Sequence, residues 1–302
     1  MLQSSTSGER NVKMTLAGYW RSPIDPERVM HVAVTHWQES AQQEREDALA
    51  VEEPFEVRMN HRSLAVIMRT PGHDRELATG FLYTERIITQ PEEILEIEAE
   101  NDADGLPLPN VVNIVLRRDM DEGNVPSQQP AVFERYFAVS SSCGLCGKTS
   151  IADLLFFTPA IEPAVDDVQF HSTTLYRLSD RLRSAQTVFT HTGGLHAAGL
   201  FSATGELLLL REDVGRHNAV DKIIGHGLLH GLFPYSRNIL MVSGRTSFEI
   251  IQKALLARIP CIAAISAPSS LAVELADRAG ITLIGFLRDH SMNVYTHPER
   301  VI

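Results

Sequence analysis

Three apolar runs in the last third of the chain, at residues 239–243, 261–266 and 281–287, alternate with two stretches of helical periodicity, at 248–258 and 271–279, the second closed by Gly280. Runs this continuous in hydrophobicity are strands covered on both faces, and alternation with helices brings successive strands parallel. This end of the chain therefore predicts a parallel sheet within an α/β domain.

In open sheets of this kind, ligands sit beyond the carboxyl ends of the strands, where helix N-termini offer free N–H groups to anions. The predicted strand ends here carry Ser243, Gly244, Arg245, Thr246 and Ser247; then Ser266, Ala267, Pro268, Ser269 and Ser270; then Phe286, Leu287, Arg288, Asp289, His290 and Ser291. Hydroxyls, a glycine and two arginines suit a phosphate or pyrophosphate. Serine and threonine at such places are also ordinary helix caps. Three ends of this type in one sheet, two with arginine, point to a nucleotide or another phosphate-bearing ligand. The loops match neither a Walker A sequence nor G-x-G-x-x-G.

Upstream of these strands the pattern is mixed. Residues 170–183 read as a helix and 187–190 as a short strand running into His191. Runs at 196–202 and 206–210 form a hairpin around Ala203, Thr204 and Gly205, and Asp213 can cap a helix reaching about His230. Nearer the N-terminus, residues 55–59 and 64–69 flank a turn at 60–63, and Thr70, Pro71 and Gly72 break the second strand. Asp74 then caps a helix to about Arg86, with Leu77, Phe81, Leu82 and Ile87 on its buried side. Further strands are expected at 94–99, 111–117 and 134–139, and an exposed loop at 119–130. Residues 1–50 are polar and acidic without firm periodicity and read as a flexible segment. The division that follows is a flexible 1–50, a smaller α+β region at 51–139 and an α/β domain at 140–302.

Two of the chain's three cysteines, Cys143 and Cys146, form a C-x-x-C pair set among Ser140, Ser141, Ser142, Gly144 and Gly147. Small residues leave both sulfurs reachable by something large. Residues 149–156 are apolar at helical spacing, which puts Cys146 near a helix N-terminus, and with Lys148 that favours thiolate over thiol. Cys261 lies in a predicted strand and reads as buried. An odd, low cysteine count does not make a disulfide framework and suits a reducing compartment.

A hydrophobic content of 44% over 302 residues supports an ordinary packed core. The net charge of −11 argues against nonspecific nucleic-acid binding, since a phosphate backbone would be repelled. Residues 1–20 hold no continuous apolar stretch, so no signal peptide or membrane helix is expected and the cytoplasm is the default location.

His191, His196 and His217, beside glycines, raise the question of zinc, because C-x-x-C with one histidine is the ligand set of the zinc deaminases. That chemistry also needs H-x-E and a proline before the first cysteine. None of His31, His36, His61 and His73 has a glutamate two residues on, and serine precedes Cys143. The pair is left with three chemistries: a structural zinc half-site, a dithiol switch, or a persulfide relay.

With these motifs in place, residues 53–302 resemble the FdhD family, the sulfur carrier proteins required for formate dehydrogenase activity. The likeness rests on 77–85 (LATGFLYTE), 142–147 (SCGLCG), 190–196 (THTGGLH), 212–222 (EDVGRHNAVDK), 243–245 (SGR), and Gly285 and Phe286 through 294–298 (VYTHP). The resemblance implies a sulfurtransferase that accepts sulfur from a cysteine desulfurase as a persulfide on Cys143. It passes that sulfur to the molybdenum cofactor, in its bis(molybdopterin guanine dinucleotide) form, before insertion into formate dehydrogenase apoprotein. Cys146 would relay the sulfur or reduce the persulfide. Also implied are a cytidine-deaminase-like mixed sheet flanked by helices, a homodimer, no resident metal, and cofactor binding by residues 286–291. Arg245 and the rest of the 243–247 loop, with Ser243 and Gly244 foremost, are the next candidates for its phosphates. For Asp213, Arg216, His217 and Asp221 two roles stay open, contact with guanine or ribose and a structural ion-pair network.

Overall fold

Hydrophobicity on both faces of the C-terminal strands is met by two helical layers. In the computed structural model, which describes residues 19–21, 26–102, 104–117 and 168–302, strand β10 (Asn238–Val242) sends alternate side chains to opposite cores. Leu240 and Val242 join one core with helices α5 (Arg216–His230), α6 (Phe248–Leu256) and α7 (Ser270–Arg278). Ile239 and Met241 join the other, with Phe170 and with Leu175, Leu178 and Leu182 of the short helices α2 (Ser172–Leu175) and α3 (Leu178–Ala185). No helix among the described residues is long and apolar enough to cross a membrane.

Six strands make this sheet, in the order β13-β12-β11-β10-β8-β9. As the alternation predicts, β10, β11 (Cys261–Ala264) and β12 (Thr282–Arg288) are parallel. The hairpin β8 (His196–Ser202) and β9 (Leu207–Asp213) adds antiparallel to β10, and β13 (Ser291–Thr296), which the sequence does not announce, adds antiparallel to β12. The sheet is therefore mixed. Residues 286–291 carry the expected strand at 281–287 on into a hairpin. Phe286, Leu287 and Arg288 complete β12, Asp289 and His290 turn the chain, and the pairing slips between Gly285 and Arg288 while Phe286 takes φ 53.

The second sheet has the order β5-β4-β7-β6, from Glu53–Met59 (β4), Arg62–Arg69 (β5), Ile94–Asn101 (β6) and Pro107–Leu116 (β7). Asn60 and His61, both at positive φ, make the two-residue turn between β4 and β5. Helix α1 (Asp74–Thr84) covers this sheet through Leu77, Phe81 and Leu82. Asp74 is not its cap: His73 holds the N-cap at φ 61, and Asp74, in the first turn, takes a hydrogen bond of 2.8 Å from Arg69.

Within the segment 1–50, expected to be flexible, residues 19–21 and 26–50 carry more structure than its composition suggests. β1 (Tyr19–Arg21), β2 (Val29–Gln38) and β3 (Ala41–Ala50) form an antiparallel sheet. β3 is almost wholly exposed and polar, so it shows no alternation. It exists because β2 pairs with it along its full length and because Ala48 and Ala50 pack on the small core of Val29, Val188 and Leu195. A second correction concerns residues 187–190, expected as a strand. They lie in helix α4 (Thr187–Thr192), whose first N–H groups, on Val188 and Phe189, donate to the Glu212 carboxylate at 3.1 and 2.8 Å, while Gly193 closes it at φ 66. Cys143, Cys146, the loop at 119–130 and the strand expected at 134–139 lie outside the described residues.

Candidate functional site

Strand direction decides which chain segments meet. β10, β11 and β12 end at one edge of the large sheet, and because β8 runs the other way, its start lies at that same edge, opposite the end of β9. His196 pairs with Asp213 in register, and Ser243 joins β8 from the end of β10, its Oγ accepting the Ala197 N–H at 2.8 Å. The next two strand-end loops are stitched to it. The Thr246 N–H donates to Ala267 O and Ser269 N–H donates back to Thr246 O, and Phe286 N–H reaches Ser266 O at 3.3 Å. The N-termini of α5, α6 and α7 share this edge: His217 of α5 lies 3.3 Å from the hydroxyl of Ser247, the N-cap of α6, and Ser269 caps α7 by accepting the Ala272 N–H. Three helix ends of partial positive charge gathered at one edge favour an anion.

The side chains there agree with that charge. Arg245 is exposed and, among the described residues, has no carboxylate partner. Arg216, in the first turn of α5, is half-buried and, among the described residues, its Nε has no hydrogen-bond acceptor. The Thr246 hydroxyl is likewise buried without a partner among the described residues. Gly244 lies against His196: a Cβ there would come within 3.2 Å of the imidazole Nδ1 and 3.8 Å of Arg216 Cδ, so the backbone itself forms the floor of a cradle. Burial holds His196 below the ordinary histidine range, and Arg216 and Arg245 push the same way against Asp213. A neutral imidazole, a guanidinium short of acceptors, an orphaned hydroxyl and a bare backbone are what a phosphate or diphosphate group can satisfy.

The structure sorts the sequence-derived candidates. Ser243, Gly244 and Arg245 fall in this cradle. Phe286 lies next to it, exposed, with its backbone tied to Ser266. Leu287 turns into the core and is removed from the set a ligand can touch. Arg288, Asp289, His290 and Ser291 form the exposed tip of the β12–β13 hairpin, where the His290 ring meets Tyr176 edge-on at 5.9 Å. Of the residues with two open roles, Asp213 and Asp221 are structural. Asp213 and Lys222 are both fully buried and 2.7 Å apart, and Lys222 also donates to Thr70 O. Asp221 pairs with Lys253 at 2.8 Å and accepts from the Thr84 hydroxyl. Burial raises the Asp221 carboxyl and lowers the Lys222 ammonium against the pull of their partners. The first pair ties Thr70, just after β5, to β9 and α5, and the second ties α5 to α6 and, through Thr84, to the end of α1. Thr246 falls where the strand-end loop predicts, whereas the sequence gives His196 no role at the phosphate site; only the antiparallel return of β8 brings His196 to Gly244.

The sequence model of the FdhD/NarQ family matches residues 50–302. The chain is 46% identical over 267 residues to the sulfur carrier protein FdhD of Mycobacterium tuberculosis, covering 85% of this chain and 92% of that protein. Against the protein of the same name from Streptomyces avermitilis the identity is 49% over 262 residues, covering 85% and 90%. Among solved structures, one of a candidate formate dehydrogenase accessory protein from Desulfotalea psychrophila superimposes with a TM-score of 0.70, covering 91% of this chain and all of that one. At 24% identity, that likeness is one of fold.

Proposed function

The chain belongs to the FdhD/NarQ family, and from that premise we propose that it is a sulfur carrier serving formate dehydrogenase, working as a sulfurtransferase that relays a cysteine persulfide to the molybdenum cofactor. The Cys143 thiolate attacks the outer sulfur of a cysteine desulfurase persulfide. The desulfurase cysteine leaves as a thiolate, and Cys143 holds the sulfur as S–SH with no net change in electrons. Release of that sulfur as sulfide takes two electrons, which the Cys146 thiolate supplies if it closes a disulfide onto Cys143. If Cys146 instead receives the outer sulfur, the transfer is a relay that keeps it at the persulfide level, and an external dithiol then supplies the two electrons that release it as sulfide.

The substrate is the bis(molybdopterin guanine dinucleotide) form of the cofactor. One observation carries the reading: the strand-end cradle of Gly244, Arg245, Arg216, His196 and the orphaned Thr246 hydroxyl, at the convergence of three helix N-termini, has unmet donors suited to a guanine dinucleotide's phosphates. Phe286, exposed beside that cradle, offers a ring face to guanine. The hairpin tip with Arg288 and His290 extends the same edge and gives the outer part of the substrate a second set of donors. A cytidine-deaminase-like scaffold and a homodimer belong to the same proposal, as does formate dehydrogenase apoprotein as the recipient.

The test is intact-protein mass spectrometry after incubation with a cysteine desulfurase and cysteine. A gain of one sulfur atom, reversed by reductant and absent in Cys143→Ala, is the expected result. An unchanged wild-type mass beside an active desulfurase refutes the relay and leaves a cofactor-binding chaperone. Retention of the gain in Cys146→Ala together with loss of formate dehydrogenase activation assigns Cys146 to the release step.

A further inference from the structure

Away from the strand-end edge, a cavity of about 880 Å³ is lined by His73, Glu76, Leu229 and His230, and by Arg69 and Asp74. The packing of α1 on α5 builds one corner of it. Gly225 meets the α1 backbone so closely that a Cβ there would stand 1.9 Å from Glu76 O, which sets Glu76 beside the next residue of α5, His226. His226 and His230 are four residues apart and so share one face of the last turns of α5. Their rings lie 4.3 Å apart between centroids. One ligand atom from each of Glu76, His226 and His230 lies within 4.8 Å of the others.

We propose that Glu76, His226 and His230 form a site for one divalent transition-metal ion, opening onto this cavity. Glu76 Oε1 already lies 2.9 Å from His226 Nδ1, the contact that an ion placed between the two would replace. Arg211 grips the same carboxylate with two hydrogen bonds, from Nε at 2.6 Å and Nη2 at 2.7 Å, and so fixes its orientation. That grip also sets the selectivity. A carboxylate shared with a guanidinium brings little net negative charge, which leaves magnesium and calcium without the oxygen ligands they require. Two imidazoles supply the donors that zinc, nickel and cobalt prefer. His73, whose Nδ1 is 3.6 Å from Glu76 Oε2, also lines the cavity. A bound ion would clasp α1 to α5 at the end opposite Arg216.

The test uses the untagged full-length chain carrying Cys143→Ser and Cys146→Ser, which removes the thiols that would otherwise capture zinc and makes the result independent of the sulfur-relay reading. Equilibrium dialysis against zinc, with cobalt as a spectroscopic probe, should give one ion per chain and visible d–d absorption from cobalt. His230→Ala, an exposed position, and His226→Ala should each weaken zinc ~10-fold or more, consistent with loss of one imidazole ligand. A hundredfold excess of magnesium should leave zinc bound. No stoichiometric zinc, unchanged affinity in both histidine variants that retain native circular dichroism, or displacement by magnesium would each overturn the proposal.

Discussion

Replacing Gly80 with alanine sets two physical effects of opposite sign against each other. Alanine in a helix interior is favoured over glycine by about 1 kcal/mol, so helix propensity alone predicts a more stable protein. The seam between α1 and α5 predicts the reverse. A Cβ on Gly80 would stand 1.9 Å from Asp221 O and 2.6 Å from Asp221 C, backbone atoms that no rotamer change can move. Opening that contact to the roughly 3.3 Å of a weak C–H···O approach needs a shift of about 1.4 Å between two helices that anchor separate cores. Overpacking of this kind costs about 3 kcal/mol, at the upper end of its usual range, because rigid helices must part. The net loss is then about 2 kcal/mol, or a Tm lowered by roughly 3 °C for a chain of 302 residues. Gly225→Ala makes the equivalent clash with Glu76 O from the other helix, so the double variant should lose less than the sum of the two by about 1 kcal/mol. Urea titration followed by circular dichroism, with the midpoint compared at constant slope, measures all three. A Gly80→Ala protein as stable as the wild type, or more so, would refute the reasoning.

Lys222→Met leaves the Asp213 carboxylate charged, fully buried and without its cation, and should cost about 3–5 kcal/mol in the same titration. Arg245→Ala, on an exposed side chain, should leave stability within ~0.5 kcal/mol while weakening guanosine diphosphate, as measured by isothermal calorimetry, by about tenfold. His196 is held below its ordinary range in the fold, so between its folded value and about pH 6.5 the unfolded chain binds the extra proton. Stability should therefore fall as the pH drops through that interval, and a His196→Gln variant should show a shallower fall in melting temperature across it. Cys261 is fully buried and its thiol is pushed far up by that burial, so in native protein an aromatic disulfide reagent should reach it at least ~100-fold more slowly than after denaturation.

Much of the fold was legible because its strongest signals are local. Continuous apolar runs at β10, β11 and β12, separated by helical periodicity, determine a parallel core whatever else the chain does, since strands buried on both faces need helices on both. Asn60 and His61 between alternating residues likewise determine a hairpin. Signals that rest on a distant partner were not legible. The Thr187–Thr192 helix reads as a strand by its β-branched residues and is decided by Glu212, which supplies an anion at its N-terminus from another strand. β3 has no pattern of its own and exists through its pairing with β2.

The same division runs through the candidate site. Composition alone marks Ser243, Gly244, Arg245 and the two cysteines as chemistry-bearing, because hydroxyls, arginine and bare backbone suit phosphate and because small residues leave thiols open. Whether a charged residue meets a ligand or a buried partner depends on burial, which no local pattern carries. Asp213 and Arg216 sit three residues apart; one is sealed against Lys222 and the other has a donor to spare. Sequence determined the parallel core strands β10, β11 and β12 and what chemistry the chain holds. The antiparallel return of β8, which carries His196 to Gly244, and the glycine seam that sets Glu76 beside His226 were decided only in three dimensions, because strand direction and helix contact are set by the energy of the whole core.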